Sequence, residues 1–191
     1  MKTDFTERLN KILDRVISDD FLQGQGLGNE IPFYAFDYPP EHELQIREHI
    51  DFLMAQIPKR RPGVRVKHIN LFDLVLDRLK ERNLYEKAIE LQQKKGDEAL
   101  LRALSGPLHS SKIAQAFIKE ADLEHHDMVF VSGIGNAFPL LRTHNLLNNL
   151  HPLMGQTPLV LFYPGDYDGK SLRLFGQLKG NPYYRAFRLV D

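Results

Sequence analysis

The residues most suggestive of chemistry lie late in the chain, where FYPGDYDGKSLRLFG spans residues 162–176. Its Gly-Lys-Ser matches the end of the phosphate-cradling pattern GxxxxGK[ST], a loop that follows a buried strand and opens a helix so that backbone N–H groups and the lysine meet phosphate oxygens. The flanks agree, since TPLVLF is a short apolar strand and SLRLFGQL can begin a helix. The spacing disagrees. Five residues before Gly169 stands Pro164, which lacks an N–H and fixes φ, and Gly165 leaves only three intervening residues. Asp166 and Asp168 would also set carboxylates beside bound phosphate. The preferred reading is a Gly/Asp-rich turn from strand to helix, in which Asp168 caps the helix and Gly165 or Gly169 supplies a positive φ. Asp166, Tyr167, Asp168 and Lys170 remain candidates for binding a ligand or partner.

Other patterns each miss a necessary position. SGIGNAFP follows a strand and precedes a helix, but Phe138 stands where the dinucleotide fingerprint GxGxxG needs its third glycine, so no nicotinamide or flavin is expected. Ser132 lies outside the GxSxG nucleophile elbow. HELQIREH begins like the zinc-protease motif HExxH, yet Ile46 occupies the second histidine's place; His42 and His49 read as surface residues. In EHHD, residues 124–127, adjacent side chains diverge along an extended chain, which disfavours a shared ion. No metal, cofactor or catalytic residue is therefore expected. In the helix PLLRTHNLLNNL, Arg142, Asn145 and Asn149 share a polar stripe that either reads a partner's backbone or a nucleic-acid base edge, or caps neighbouring loops.

These residues must be positioned by alternating strands and helices. A first helix runs from about Asp4 to Ile17, with Leu9, Ile12, Leu13 and Val16 on one face. IPFYAFDY is a strand ended by Pro39 and Pro40; a second helix then carries Ile46, Ile50, Leu53 and Ile57 up to Pro58. VRVKHINL, DMVFVSGIG, PLVLFYPG and YYRAFRLV are further strands. Near-continuous apolar strands between helices predict an α/β fold: a mainly parallel sheet of about five strands, covered on both faces in three layers. One domain over 1–191 is expected. The stretch 71–121 holds more helices than one crossover needs, split near Asn83, with EALLRALSG and SSKIAQAFIKEA as separate pieces, so part of it forms an insertion or lid. In such sheets ligands favour the carboxyl ends of strands, which puts Asp37, Tyr38, Ser132, Asn136 and Tyr163 under watch beside Asp166 and Asp168.

The composition narrows the class. The 191 residues carry 25 basic and 25 acidic side chains, a balance that argues against a dedicated phosphate-backbone surface, although a local basic patch remains open. Without cysteine there are no disulfides, thiol catalysis or thiolate metal sites. The N-terminal MKTDFTERLNKILDRV is charged and amphipathic rather than a secretion signal, and no run approaches the roughly 20 apolar residues of a membrane helix. A soluble, cytoplasmic protein is expected.

Four segments together, GNEIPFYAFDYPPEHE, VKHINLFDLVLD, VFVSGIGNAFPLLRTHNLLNNL and LVLFYPGDYDGKSLRLFGQLKGNPYYRAFRLV, resemble the BrxB family of BREX (bacteriophage exclusion) defence systems, from about residue 20 to the end. The resemblance implies a setting: operons that also encode a PglX DNA methyltransferase, a PglZ phosphatase-superfamily protein and a BrxC ATPase. It brings no catalytic motif. The expected function is thus a non-enzymatic scaffold or adaptor on an NTPase-like architecture lacking a working phosphate loop, bound to other BREX proteins. A PglZ-like subunit is the favoured partner, ahead of BrxC-like or PglX-like ones. Tyr183, Tyr184, Arg185 and Tyr167 are candidate anchors, since aromatic and arginine side chains dominate such contacts. A half-buried edge strand uses the same residue types for packing. The rival functions are nucleotide binding and contact with DNA.

Overall fold

A run such as FYAFDY can satisfy its apolar side chains only where both faces of a strand are covered. It forms strand β1 (Phe33–Tyr38), and all six of its residues are buried. The same holds for MVFVS, which forms β3 (Met128–Ser132), and for the first part of β4 (Leu159–Tyr167). VKHIN, with mixed polarity, forms β2 (Val66–Asn70) at the sheet's edge, where only Ile69 is buried. The structure is a computed structural model that describes residues 4–24, 32–178, 181–182 and 186–191.

With β7 (Phe187–Arg188), these strands form a parallel sheet in the order β2-β3-β4-β1-β7. An antiparallel extension adds β5 (Ser171–Leu174) to the end of β4, and β6 (Asn181–Pro182) to β5. Register places Phe33 beside Leu159 and Tyr34 beside Phe187, so β1 is paired on both sides by strands from the last third of the chain.

Strand alternation sorts the core into two clusters. Phe33, Ala35, Val129, Val131, Leu159 and Leu161 face a layer built from α4 (Leu71–Glu81), α6 (Ser110–Ala121), α7 (Ile134–Ala137) and α8 (Thr143–Leu150). Tyr34, Phe36, Met128, Phe130, Val160 and Phe162 face α1 (Phe5–Val16), α2 (Asp19–Leu22) and α3 (Glu43–Arg60). The fold is therefore α/β with helices on both sides of the sheet, as the sequence predicts. Phe36, Phe130 and Phe162 have no exposed surface, and truncating any one to alanine costs about 3–5 kcal/mol.

Several element boundaries differ from expectation. Helix α3 runs through Pro58 to Arg60, because a proline in the last turn forfeits only one bond of the ladder. The break at Asn83 is present, with φ +54°, between α4 and α5 (Tyr85–Leu104). A kink at Gly96, φ +78°, then sets off the arm holding EALLRAL, and Leu104 is the one fully buried residue of α5. The helix expected over PLLRTHNLLNNL starts only at Thr143, since Pro139 holds Phe138 extended, with ψ 139°, and ends α7 before it. Of YYRAFRLV, the described strand is Phe187–Arg188; Tyr183, Tyr184 and Arg185 lie outside the described residues. Among the described residues no helix is long and apolar enough to cross a membrane.

Candidate functional site

GDYDGKS is a hairpin and opens no helix. Strand β4 continues through Tyr167, the chain turns over Asp168–Lys170, and Leu172 and Leu174 point alternately into the core from β5. That period of two, rewarded by burial of both leucines, overrides the helix reading of SLRLFGQL. Asp168 still caps, but it caps the turn: its carboxylate accepts from the backbone N–H of Lys170 (2.9 Å) and Ser171 (2.7 Å) and from the Ser171 hydroxyl (3.0 Å). These bonds, that from Lys170 foremost, hold its carboxyl below the ordinary aspartate range. They also occupy the N–H groups that a phosphate would need. Gly165 has no room for a side chain, since a Cβ there would lie 2.1 Å from the Arg173 carbonyl oxygen. Lys170 is exposed.

Over the carboxyl ends of β1, β4 and β7 opens a cavity of about 630 Å³. It stands where the topology turns: β1 leads into α3 on one face of the sheet, and β3 into α7 on the other, with β4 between them. Asp37 ties it together. Its carboxylate accepts from Arg8 Nη2 of α1 (2.6 Å), from Arg188 Nη1 of β7 (3.2 Å) and from the backbone N–H of Tyr167 (3.1 Å). Arg8 Nη1 also donates to the Asp37 carbonyl oxygen, 2.9 Å away, and Arg188 donates to the Tyr167 carbonyl. The rest of the wall brings Asp166, Asp168, Asp191 and Arg173, so aspartates outnumber arginines around the opening. Tyr167, expected as a surface anchor, is 2% exposed; its ring is in the core and its hydroxyl donates to the Ala186 carbonyl (2.6 Å). A contact through that ring is thereby closed off.

The opposite face of the hairpin borders a second, smaller cavity of about 320 Å³. Its apolar wall is Phe138, Leu172, Leu174 and Leu178. Its polar groups are Arg142, Thr143 and His144, at the start of α8, and Tyr163, from β4. Helix α8 has no side-chain cap at its N-terminus. Tyr163 is 3% exposed, and burial pushes its hydroxyl well above the usual phenol range. Burial, then the neighbouring Arg142, lowers the His144 pKa, which favours the neutral ring.

The remaining candidates are drawn into structural roles. Asn149 donates to the Ser110 hydroxyl (3.2 Å) and to the Asn145 carbonyl (2.8 Å), fastening α8 to the start of α6; Asn145 itself is exposed. Arg142 precedes the helix, so the proposed three-residue stripe does not lie on one helical face. His42 stacks on Phe5 at 4.1 Å, and His49 is half-buried rather than on the surface, with burial lowering its pKa. His125 pairs with Asp122 at 2.8 Å and Asp127 with Arg65; among the described residues no three His, Cys, Asp or Glu side chains are grouped to hold an ion. Asn136 accepts from Arg47 (3.1 Å), which also pairs with Glu43, itself bonded by the Tyr38 hydroxyl. One contact gave no sequence signal: Ser132 Oγ and His68 Nε2 lie 2.7 Å apart across adjacent strands, 64 residues separated, and burial lowers the His68 pKa. Ser132 is buried, and no cavity described above opens onto it.

Comparison with known proteins agrees with the resemblance. A family described as "BREX protein BrxB" matches residues 67–189. A "BREX protein BrxB" of Escherichia coli O9:H4 (strain HS) is 43% identical over 183 residues, covering 96% of this chain and 90% of that protein. Another, of Bacillus cereus (strain H3081.97), is 39% identical over 188 residues, covering 97% of each. No solved structure gives a significant match. With near-complete coverage at about this identity, the chain belongs to the BrxB family of BREX proteins.

Proposed function

We propose that the chain is a non-enzymatic scaffold or adaptor of a BREX anti-phage complex, holding other BREX proteins in register. A PglZ-like subunit is its first partner, with a BrxC-like ATPase or PglX-like methyltransferase as others. The observation that carries this reading is that most charges of the switch-point cavity are engaged with one another, although Arg8 Nε is buried without a partner. There, where α/β sheets commonly engage anionic substrates, Asp37 occupies Arg8 and Arg188, and Asp168 occupies the turn's N–H groups. With Arg8, Arg188 and the turn's amides engaged by the cavity's own carboxylates, Arg173 is the arginine of that wall left without an acidic partner among the described residues, a weak basis for holding a phosphate. What remains for function is surface.

The test is co-expression of the tagged chain with its operon neighbours, followed by size-exclusion chromatography with light scattering. A complex of fixed mass, with the PglZ-like subunit above all, is the expected result; elution alone at low and moderate salt overturns the proposal. The nucleotide reading would return if ATP raised the melting temperature of the wild type and Lys170→Ala abolished the shift. DNA contact would return if a duplex bound with an affinity falling steeply with salt.

A further inference from the structure

We infer that the cavity between the β4–β5 hairpin and the start of α8 is a docking pocket for a segment of a partner chain that presents an apolar side chain next to a carboxylate. This deepens the adaptor reading and rests on it for the identity of the occupant. Four observations converge. The walls, Phe138, Leu172, Leu174 and Leu178, are apolar, and about 320 Å³ suits one large aliphatic or aromatic side chain with its polar neighbour. Leu178, at 37% exposure, lies on the rim as a large apolar side chain left in water.

The polar groups favour an anion. Arg142 is exposed, and among the described residues no acidic one lines the cavity. Arg8, Arg47, Arg61, Arg65, Arg78 and Arg188 have carboxylate partners, whereas Arg102 and Arg173, like Arg142, have none among the described residues. Helix α8 begins there without a side-chain cap, so its first amides and its dipole face the same opening. Tyr163 adds a polar group: its side chain is 3% exposed and lines the cavity, and its hydroxyl, which is not among the buried unpaired atoms, keeps contact with the water there. A hydroxyl held on a cavity wall can exchange its water for an acceptor on a ligand. A carboxylate supplies that acceptor, while also meeting the Arg142 guanidinium, and the apolar side chain beside it displaces water from the leucines.

The probe is N-acetyl-leucine, titrated as its carboxylate and as its amide into the full chain labelled with nitrogen-15. Saturable amide shifts at Thr143, His144 and Leu172 are expected, with a dissociation constant of about 1 mM for the carboxylate. The amide should bind at least about tenfold more weakly, and Arg142→Glu should abolish the difference while leaving the spectrum folded. Equal response to both probes, or no response at these residues, overturns the inference. In the complex isolated by co-expression, Arg142→Glu should weaken association at least about tenfold. An unchanged complex overturns the pocket as the docking site and leaves the adaptor reading standing. If the wild type forms no complex, the adaptor reading fails separately; carboxylate binding would then point to a free organic anion, and the partner segment is withdrawn.

Discussion

Two cavities flank one hairpin at the carboxyl ends of the same sheet, and they are finished in opposite ways. On the Arg173 face, the arginines that reach Asp37 come from the first helix and the last strand, and every oxygen of that carboxylate is used. On the Leu172 and Leu174 face, Arg142 and the Tyr163 hydroxyl converge with no acceptor among the described residues. The first cavity is larger and sits where ligands usually bind in such folds, yet its chemistry is turned inward. Position in a fold indicates where to look; the balance of donors and acceptors decides whether anything is left to bind.

The contrast can be broken most severely at Asp37. Asp37→Ala would leave two guanidinium groups and the Tyr167 N–H without their acceptor and should destabilise the protein by about 3–5 kcal/mol, read from the urea midpoint. A loss under about 1 kcal/mol would mean that the knot is ornamental and its arginines are free for a ligand. Gly165→Ala should cost about 1–3 kcal/mol, because its Cβ would meet the Arg173 carbonyl and part the hairpin that separates the cavities.

Acidification should have a smaller effect, of known sign. His49, His68 and His144 all have pKa values lowered chiefly by burial, although Asp51 and Asp73 partly oppose this at His68. The unfolded chain therefore binds protons first. Stability carried by these rings is complete above a pH of about 6.5 and is lost as pH falls through their folded values. His125, raised by Asp122, acts in the opposite sense, so His125→Gln should steepen the acid loss seen in melting curves between about pH 7.5 and 5.5. The smallest effect sharpens the comparison most. Tyr163→Phe removes a hydroxyl that bonds to nothing described, so stability should stay within about 0.5 kcal/mol or rise. A loss above about 1 kcal/mol would show that the hydroxyl has an internal partner.

The layers of the fold were legible because burial writes itself into residue type. Phe33 to Tyr38, Met128 to Ser132 and Leu159 to Tyr163 are apolar at almost every position, and Leu9, Ile12, Leu13 and Val16 keep helical spacing. The hairpin was misread because SLRLF supports either period over so few residues, and only the core beneath Leu172 and Leu174 decides between them. The same error hid the second cavity. Arg142 and Tyr163 stand out by residue type, but leucines read with helical spacing suggest no wall between them. Asp37 stood out as a loop-end carboxylate, while its partners at positions 8 and 188 are distant in sequence and carry no local pattern. His68 and Ser132 were hidden for the same reason.

The pairing of β1 has a consequence in time. As a nascent chain emerges from the ribosome, Phe33 to Tyr38 is made early, yet the strands that flank it are β4 and β7. Its backbone donors and its aromatic side chains must wait until residues 159–188 have been translated. The segment made in between can form helices and the β2–β3 pair, but closure of the sheet waits for β4 and β7. Until then an aromatic strand is held open to other chains, a period in which chaperone contact or early subunit capture has most to protect.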